Sequence, residues 1–173
     1  MNSDRRIVLG GLAGAGTLAV SFAVFGGGLA SARSLAAEGK PGFAITKSEA
    51  QWRKELEPLQ YYVLREAGTE RAWTSPLNKE KRAGTFLCAG CDLPLYSSRT
   101  KYESFSGWPS FTEPLKGAVL LRPDYLLGIP RTEVLCKRCG GHLGHVFNDG
   151  PRPAGKRWCM NGAALKFRAS KSS

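Results

Sequence analysis

Five cysteines divide into two clips and a singleton. Cys88-Ala89-Gly90-Cys91 and Cys136-Lys137-Arg138-Cys139 are each C-x-x-C, and a turn-favouring residue, Asp92 or Gly140, follows each. A two-residue gap lets both sulfurs of a tight turn face one point. Two such knuckles supply the tetrahedral thiolate set that zinc prefers. One structural Zn2+ held by Cys88, Cys91, Cys136 and Cys139 is therefore expected. The gap between the clips is longer than in a compact zinc ribbon, so the ion would staple two distant parts of one domain. Two disulfides or two redox dithiols are the competing uses of these residues.

Cys159 is left over, in Arg157-Trp158-Cys159-Met160-Asn161. A lone cysteine is more often a buried small hydrophobe than a nucleophile. Arg157 would favour a thiolate if it faces the sulfur. Asn161 lies on the same side if this segment is a strand, and can donate hydrogen bonds. The only two histidines fall in one run, Gly141-His142-Leu143-Gly144-His145-Val146-Phe147. Their spacing suits a helix face or a turn, with both pointing into one site. Histidines so spaced also bind metal, but the two clips already fill four coordination positions. A free imidazole pair is better explained as an acid–base device.

The elements around these residues read as one domain with a leader. The chain has 173 residues and a formal net charge of +11, with 42% hydrophobic and 23% charged residues. That balance excludes wholesale disorder, and the positive charge sets no fold. Residues 1–32 have a basic start at Arg5-Arg6, a long uncharged apolar middle and a small-residue end at Ala30-Ser31-Ala32. This is the pattern of a signal peptide of twin-arginine type. The expected location is then periplasmic or otherwise extracytoplasmic, and a membrane contact is expected only if the leader is kept. That export route carries folded proteins, so zinc could be loaded while the thiols are still reduced.

Residues 33–45 read as a linker, 46–168 as the domain and 169–173 as a polar tail. Thr46 and Glu49 have capping-box spacing for a first helix. Pro58 suits the first turn of a second, with Gly68 as its stop. Beyond Gly84, residues 85–87, 118–121, 132–135 and 163–167 are strand candidates. The fold class is mainly β, with antiparallel sheets after a short helical lead.

Several segments together resemble the methionine-R-sulfoxide reductase (MsrB) family. They are residues 62–71, Cys88-Ala89-Gly90-Cys91, Gly107-Trp108-Pro109-Ser110-Phe111, residues 136–147 and residues 157–161. The resemblance covers residues 52–167. It implies an antiparallel β fold with a four-cysteine zinc site distant from the chemistry, and reduction of the R epimer of methionine sulfoxide. Cys159 stands at the family's nucleophile position. On that basis His145, then His142, is the acid that protonates the departing oxygen. Asn161 and Arg157 orient the site, and Asp149 holds Arg157 or a histidine. Trp108, Phe147 and Asp149 are the expected substrate-binding residues, with Trp108 the wall for the methyl group.

Many members carry a second cysteine two residues before the tryptophan of Gly-Trp-Pro-Ser-Phe. This chain has Ser106 there, so a one-cysteine enzyme is expected. Cys159 would pass through a sulfenic acid that an external thioredoxin-like or other dithiol reduces. Phe105, Trp158 and Gly162 are further departures from the usual residues. Oxidised proteins are the expected substrate, the chain is expected to be monomeric, and no nucleic acid is expected. A basic zinc module gripping nucleic acid and a thiol–disulfide oxidoreductase built on the clips are the two alternatives.

Overall fold

The computed structural model describes residues 42–126 and 128–171. The leader at 1–32 and most of the linker at 33–45 lie outside the described residues. Two short helices, α1 (Glu49–Glu55) and α2 (Pro58–Glu66), precede nine strands. The capping box of α1 is formed by Ser48 and Gln51, not by Thr46 and Glu49. Both pairs have the same spacing, but Thr46 is exposed and Ser48 is half-buried. Pro58 opens α2 as expected, while its C-cap is Ala67 in the left-handed region rather than Gly68. No helix among the described residues is long and apolar enough to cross a membrane.

Strands β1 (Gly84–Cys88), β2 (Pro94–Ser97) and β9 (Leu165–Ala169) form a three-stranded sheet in the order β2-β1-β9. The other six are β3 (Lys101–Tyr102), β4 (Ser110–Phe111), β5 (Val119–Asp124), β6 (Arg131–Cys136), β7 (His142–Phe147) and β8 (Arg157–Met160). They form a second sheet in the order β3-β4-β8-β7-β6-β5. All pairings are antiparallel. β9 runs to Ala169, and Ser170 still donates to the carbonyl of Ala83, so the start of the expected polar tail is part of the sheet.

The core draws on both sheets and both helices. Tyr96 of β2 stacks on Phe111 of β4 with ring centroids 4.3 Å apart, and Phe86 meets Phe111 edge-on at 4.9 Å. Each aromatic pair adds about 1 kcal/mol beyond the area it buries. Tyr96, fully buried, donates its hydroxyl to Met160 Sδ at 3.1 Å. The core face of the six-stranded sheet carries Phe111, Trp158, Val146, Met160 and Val134.

Side chains alternate across a strand, so the opposite face takes every second residue. Register there aligns a row across six strands: Tyr102, Ser110, Cys159, His145, Glu133 and Arg122. Two residues along, Arg157 faces Phe147, and Asp124 faces Arg131. A sheet with one apolar and one polar face is thus also a scaffold for chemistry.

Candidate active site

The site begins with β7 and β8. Cys159 is the direct cross-strand partner of His145, and Ser110 flanks Cys159 on the other side. Directly opposed residues hold their Cβ atoms about 5 Å apart, close enough for side chains to meet. Gly144 permits this pairing. A Cβ there would lie 2.1 Å from the carbonyl oxygen of Cys159. No side chain fits that gap.

The histidine run is a strand, not a helix face or turn. In a regular strand, residues 142 and 145 would point to opposite faces. A bulge resolves this: Val134 pairs with Gly144, but the next residue, Leu135, pairs with His142. The extra residue on β7 brings both imidazoles to one side, with ring centroids 5.3 Å apart.

Each histidine has its own carboxylate. His145 Nε2 lies 2.7 Å from Asp124 Oδ2, which also takes a 2.5 Å bond from Arg131. The Leu126 backbone N–H, then His145 and Arg131, hold the Asp124 carboxyl down at about 2. Burial lowers His145 below its ordinary value, against the raising effect of Asp124. His142 is only 4% exposed, and its Nδ1 lies 2.7 Å from Glu133 Oε1. Burial pushes Glu133 up, but hydrogen bonds from His142 and Arg122 outweigh it and leave the carboxyl below its usual range. His142 Nε2 is buried without a hydrogen-bond partner among the described residues.

A cavity of about 130 Å³ opens over this row. Trp108, Phe147, His145, Asn161 and Cys159 line it, as do Thr69 and Arg131, which sequence reasoning did not single out. Trp108 donates its indole N–H to the carbonyl of Glu70 at 3.1 Å, which fixes the ring as a wall. Asn161 is buried, with both ends of its amide engaged: Oδ1 accepts from the Glu70 N–H, and Nδ2 donates to the carbonyl of Leu143. Asp149 holds Arg157 in a two-point bond of 2.9 and 2.8 Å, rather than a histidine. The Arg157 guanidinium also lies over the Phe147 ring, 4.5 Å from its centroid.

Glu70 is the largest omission of the sequence reading. It is 4% exposed and accepts from the backbone N–H groups of Gly162 and Ala163. It thereby ties the 69–70 segment to the turn that follows Asn161. Glu133, a carboxylate within the apolar run 132–135, was a visible signal. Asp124, in Arg122-Pro123-Asp124, has no spacing or neighbour in the sequence that marks it.

Cys159 is pushed up by burial, with Ser106 first and Arg157 next acting in the opposite direction. Ser106 Oγ is 3.8 Å from its sulfur. The resting thiol is therefore mostly protonated at neutral pH, beside an imidazole that is mostly neutral.

The other four sulfurs are elsewhere. None of them lines the cavity. Cys88 ends β1 and Cys136 ends β6, so the cluster joins the two sheets. All four sulfurs lie within 4.8 Å of one another, with Cys88 and Cys139 3.7 Å apart and Cys91 and Cys136 3.5 Å apart. A tetrahedron with metal–sulfur bonds of about 2.3 Å has edges of roughly 3.8 Å, so the set fits a metal ion. Hydrogen bonding, first to Cys136, pushes Cys88 up, while the same neighbour holds Cys91 down. Four adjacent thiols cannot all ionise without a cation among them, which is the charge a divalent metal brings.

A family model described as the SelR domain matches residues 56–169. The peptide methionine sulfoxide reductase MsrB of Leptospira interrogans is 56% identical over 127 residues, covering 73% of this chain and 97% of that protein. The protein of the same name from Bradyrhizobium diazoefficiens is 54% identical over 124 residues, covering 71% of this chain and 89% of its own. The chloroplastic peptide methionine sulfoxide reductase B1 of Oryza sativa subsp. japonica is 47% identical over 131 residues, covering 75% of this chain and 61% of that protein. A SelR match over most of the chain, with relatives of this identity, places the chain in the methionine-R-sulfoxide reductase (MsrB) family.

Proposed function

We propose that this protein reduces the R epimer of methionine sulfoxide, chiefly in oxidised proteins, with Cys159 as nucleophile and His145 as acid. The observation that carries the reading is the cross-strand pairing of Cys159 with His145 at the floor of a cavity walled by Trp108 and Phe147. A thiolate can attack the sulfoxide sulfur there while the imidazolium protonates the oxygen. The step converts thiol and sulfoxide to Cys159 sulfenic acid and methionine, with atoms balanced. His142, buried and tied to Glu133, packs against His145 and acts through it. Arg157, held by Asp149, favours the thiolate. Asn161 holds the 69–70 segment, and with it the carbonyl that anchors Trp108. Epimer choice follows from fixing the methyl group against Trp108, the oxygen near His145 and the line of attack from Cys159.

Recycling falls to an external dithiol of the thioredoxin-like kind. The residue beside the sulfur is Ser106, which cannot form a disulfide. The reductant converts the sulfenic acid to thiol and water while its own two thiols become a disulfide. The metal in the four-cysteine cluster is zinc, with a structural role. The leader at 1–32 directs export, and the reductase works outside the cytoplasm as a monomer.

Turnover of separated R and S epimers with a dithiol present tests the central reading: only the R epimer is consumed. Cys159→Ser should reduce the rate at least about 10³-fold while leaving the metal bound. Consumption of the S epimer alone, or full activity of Cys159→Ser, would overturn it.

The active microstate is thiolate with imidazolium, the proton-exchanged form of the neutral pair. Its fraction is constant between the two pKa values. Below the His145 value the thiolate is lost, and above the Cys159 value the acid is lost. With His145 lowered from 6.5 and Cys159 raised from 9.0, kcat/KM should show a broad plateau with limbs below pH 6.5 and above pH 9.0. A narrow bell inside those limits would refute the assignment.

Metal analysis should find one zinc per chain. Its removal by a chelator should lower Tm by roughly 10 °C, corresponding to about 3 kcal/mol in a domain of this size. Sequencing of the exported protein should give an amino terminus near Arg33 rather than Met1.

A further inference from the structure

Three serines form a chain of hydroxyls that ends on the reacting sulfur. Ser106 Oγ is 3.8 Å from Cys159 Sγ, Ser104 Oγ is 2.8 Å from Ser106 Oγ, and Ser110 Oγ is 2.7 Å from Ser104 Oγ. Ser110 in turn donates to the carbonyl of Trp108 at 3.2 Å. Ser110 is almost fully buried and sits opposite Cys159 in the sheet. The loop is shaped for this convergence. Phe105, between two of the serines, has φ +56°, and its side chain is turned out, 79% exposed. A left-handed non-glycine residue is uncommon. Here the Phe105 backbone N–H is tied to Glu103 Oε1 at 2.8 Å.

Hydrogen counting shows what the chain does. Each hydroxyl has one proton to give, and a carbonyl can only accept. There are four contacts in line. While Cys159 is a thiol, four protons serve them in one direction: sulfur to Ser106, to Ser104, to Ser110, to the Trp108 carbonyl. When Cys159 ionises, three protons remain, and a thiolate can only accept. The chain satisfies it by reversing: Ser110 gives to Ser104, Ser104 to Ser106, and Ser106 to the sulfur. The contact released is the longest of the oxygen–oxygen bonds, that to Trp108.

We propose that Ser106, Ser104 and Ser110 form a reversible hydroxyl relay that donates to the Cys159 thiolate. Ser106, which touches the reacting sulfur, is a further catalytic residue, and Ser104 and Ser110 are positioning residues acting through it. The same donor serves the sulfur-bound oxygen of the sulfenic acid while an external thiol approaches. This deepens the proposed reductase mechanism and rests on Cys159 being its nucleophile.

The test reads the thiol directly and does not depend on sulfoxide turnover. The rate of iodoacetamide alkylation of Cys159 is measured against pH in the metal-loaded protein. Ser106→Ala should raise the midpoint by about one pH unit, giving roughly tenfold less thiolate at neutral pH. Ser106→Thr, which keeps the hydroxyl, should restore the wild-type profile. Ser104→Ala should move the midpoint in the same direction by less, although it does not touch the sulfur. Circular dichroism checks that each variant is folded. An unchanged midpoint in folded Ser106→Ala overturns the relay. A shift with Ser106→Ala but none with Ser104→Ala reduces it to a single contact and overturns the chain. Either result leaves the epimer assay of the wild type untouched, so failure of the relay is distinguishable from failure of the reductase reading.

Discussion

Close backbone approach between β7 and β8 is the constraint on which the site depends. It places Gly144 against the carbonyl of Cys159, where no Cβ fits, and it sets His145 opposite Cys159. His145 and Cys159 are thereby held by a ladder of backbone hydrogen bonds rather than by a flexible loop. A strand pair specifies position to within a fraction of an ångström, which is what the proposed proton transfer to a departing oxygen requires. The bulge at Val134/Leu135 then adds what a regular strand forbids, a second imidazole on the same face.

Electrostatics at the site balance two opposing demands. Burial makes Cys159 a poor acid and His145 a weak base. Arg157 and Asp124 oppose those effects without reversing them. Burial therefore favours the neutral pair at rest, and the charged pair arises by proton exchange between the two groups. A thiol that is mostly protonated is also a poorer target for stray oxidants, since oxidation follows thiolate character. The anchors lie one step further out: Asp149 fixes Arg157, Glu133 fixes His142, and Glu70 fixes the segment that carries the Trp108 contact. Their carboxylates orient cations and amides without reaching the sulfur.

Sequence reasoning found the groups with distinctive chemistry and missed those whose role comes from register. Cysteine spacing separated four sulfurs from the fifth because two C-x-x-C clips have few other uses. The spacing of His142 and His145 pointed to a helix face or turn. Only the pairing of β6 with β7 reveals that a bulge produces the same convergence in a strand. Glu70, Asp124 and Arg131 carry no local pattern. They join the candidate site through contacts across long stretches of chain, such as Glu70 with the turn at Gly162 and Ala163. Helix ends shifted by one or two residues for a similar reason: Ser48 and Thr46 are equivalent as caps until packing selects one. The strands β2, β3 and β4 are too short for a period-two signal, so the sheet was larger than its legible parts.

The two uses of sulfur meet in β6. Cys136 ends that strand, and Glu133 lies three residues before it, opposite His145 and bonded to His142. Arg131, at the other end of the same strand, holds Asp124, the partner of His145. Strand register has a period of two, so a slip of one residue would turn Glu133 and Arg131 to the core face and bring their neighbours into the site. Clamping Cys136 to Cys88 of the other sheet and to Cys91 in the turn that follows it opposes that slip at the strand's end. A four-cysteine cluster with no part in the cavity thus bears on the proposed chemistry through one strand. The convergence of its sulfurs and the alignment of the histidines both depend on the same fixed register.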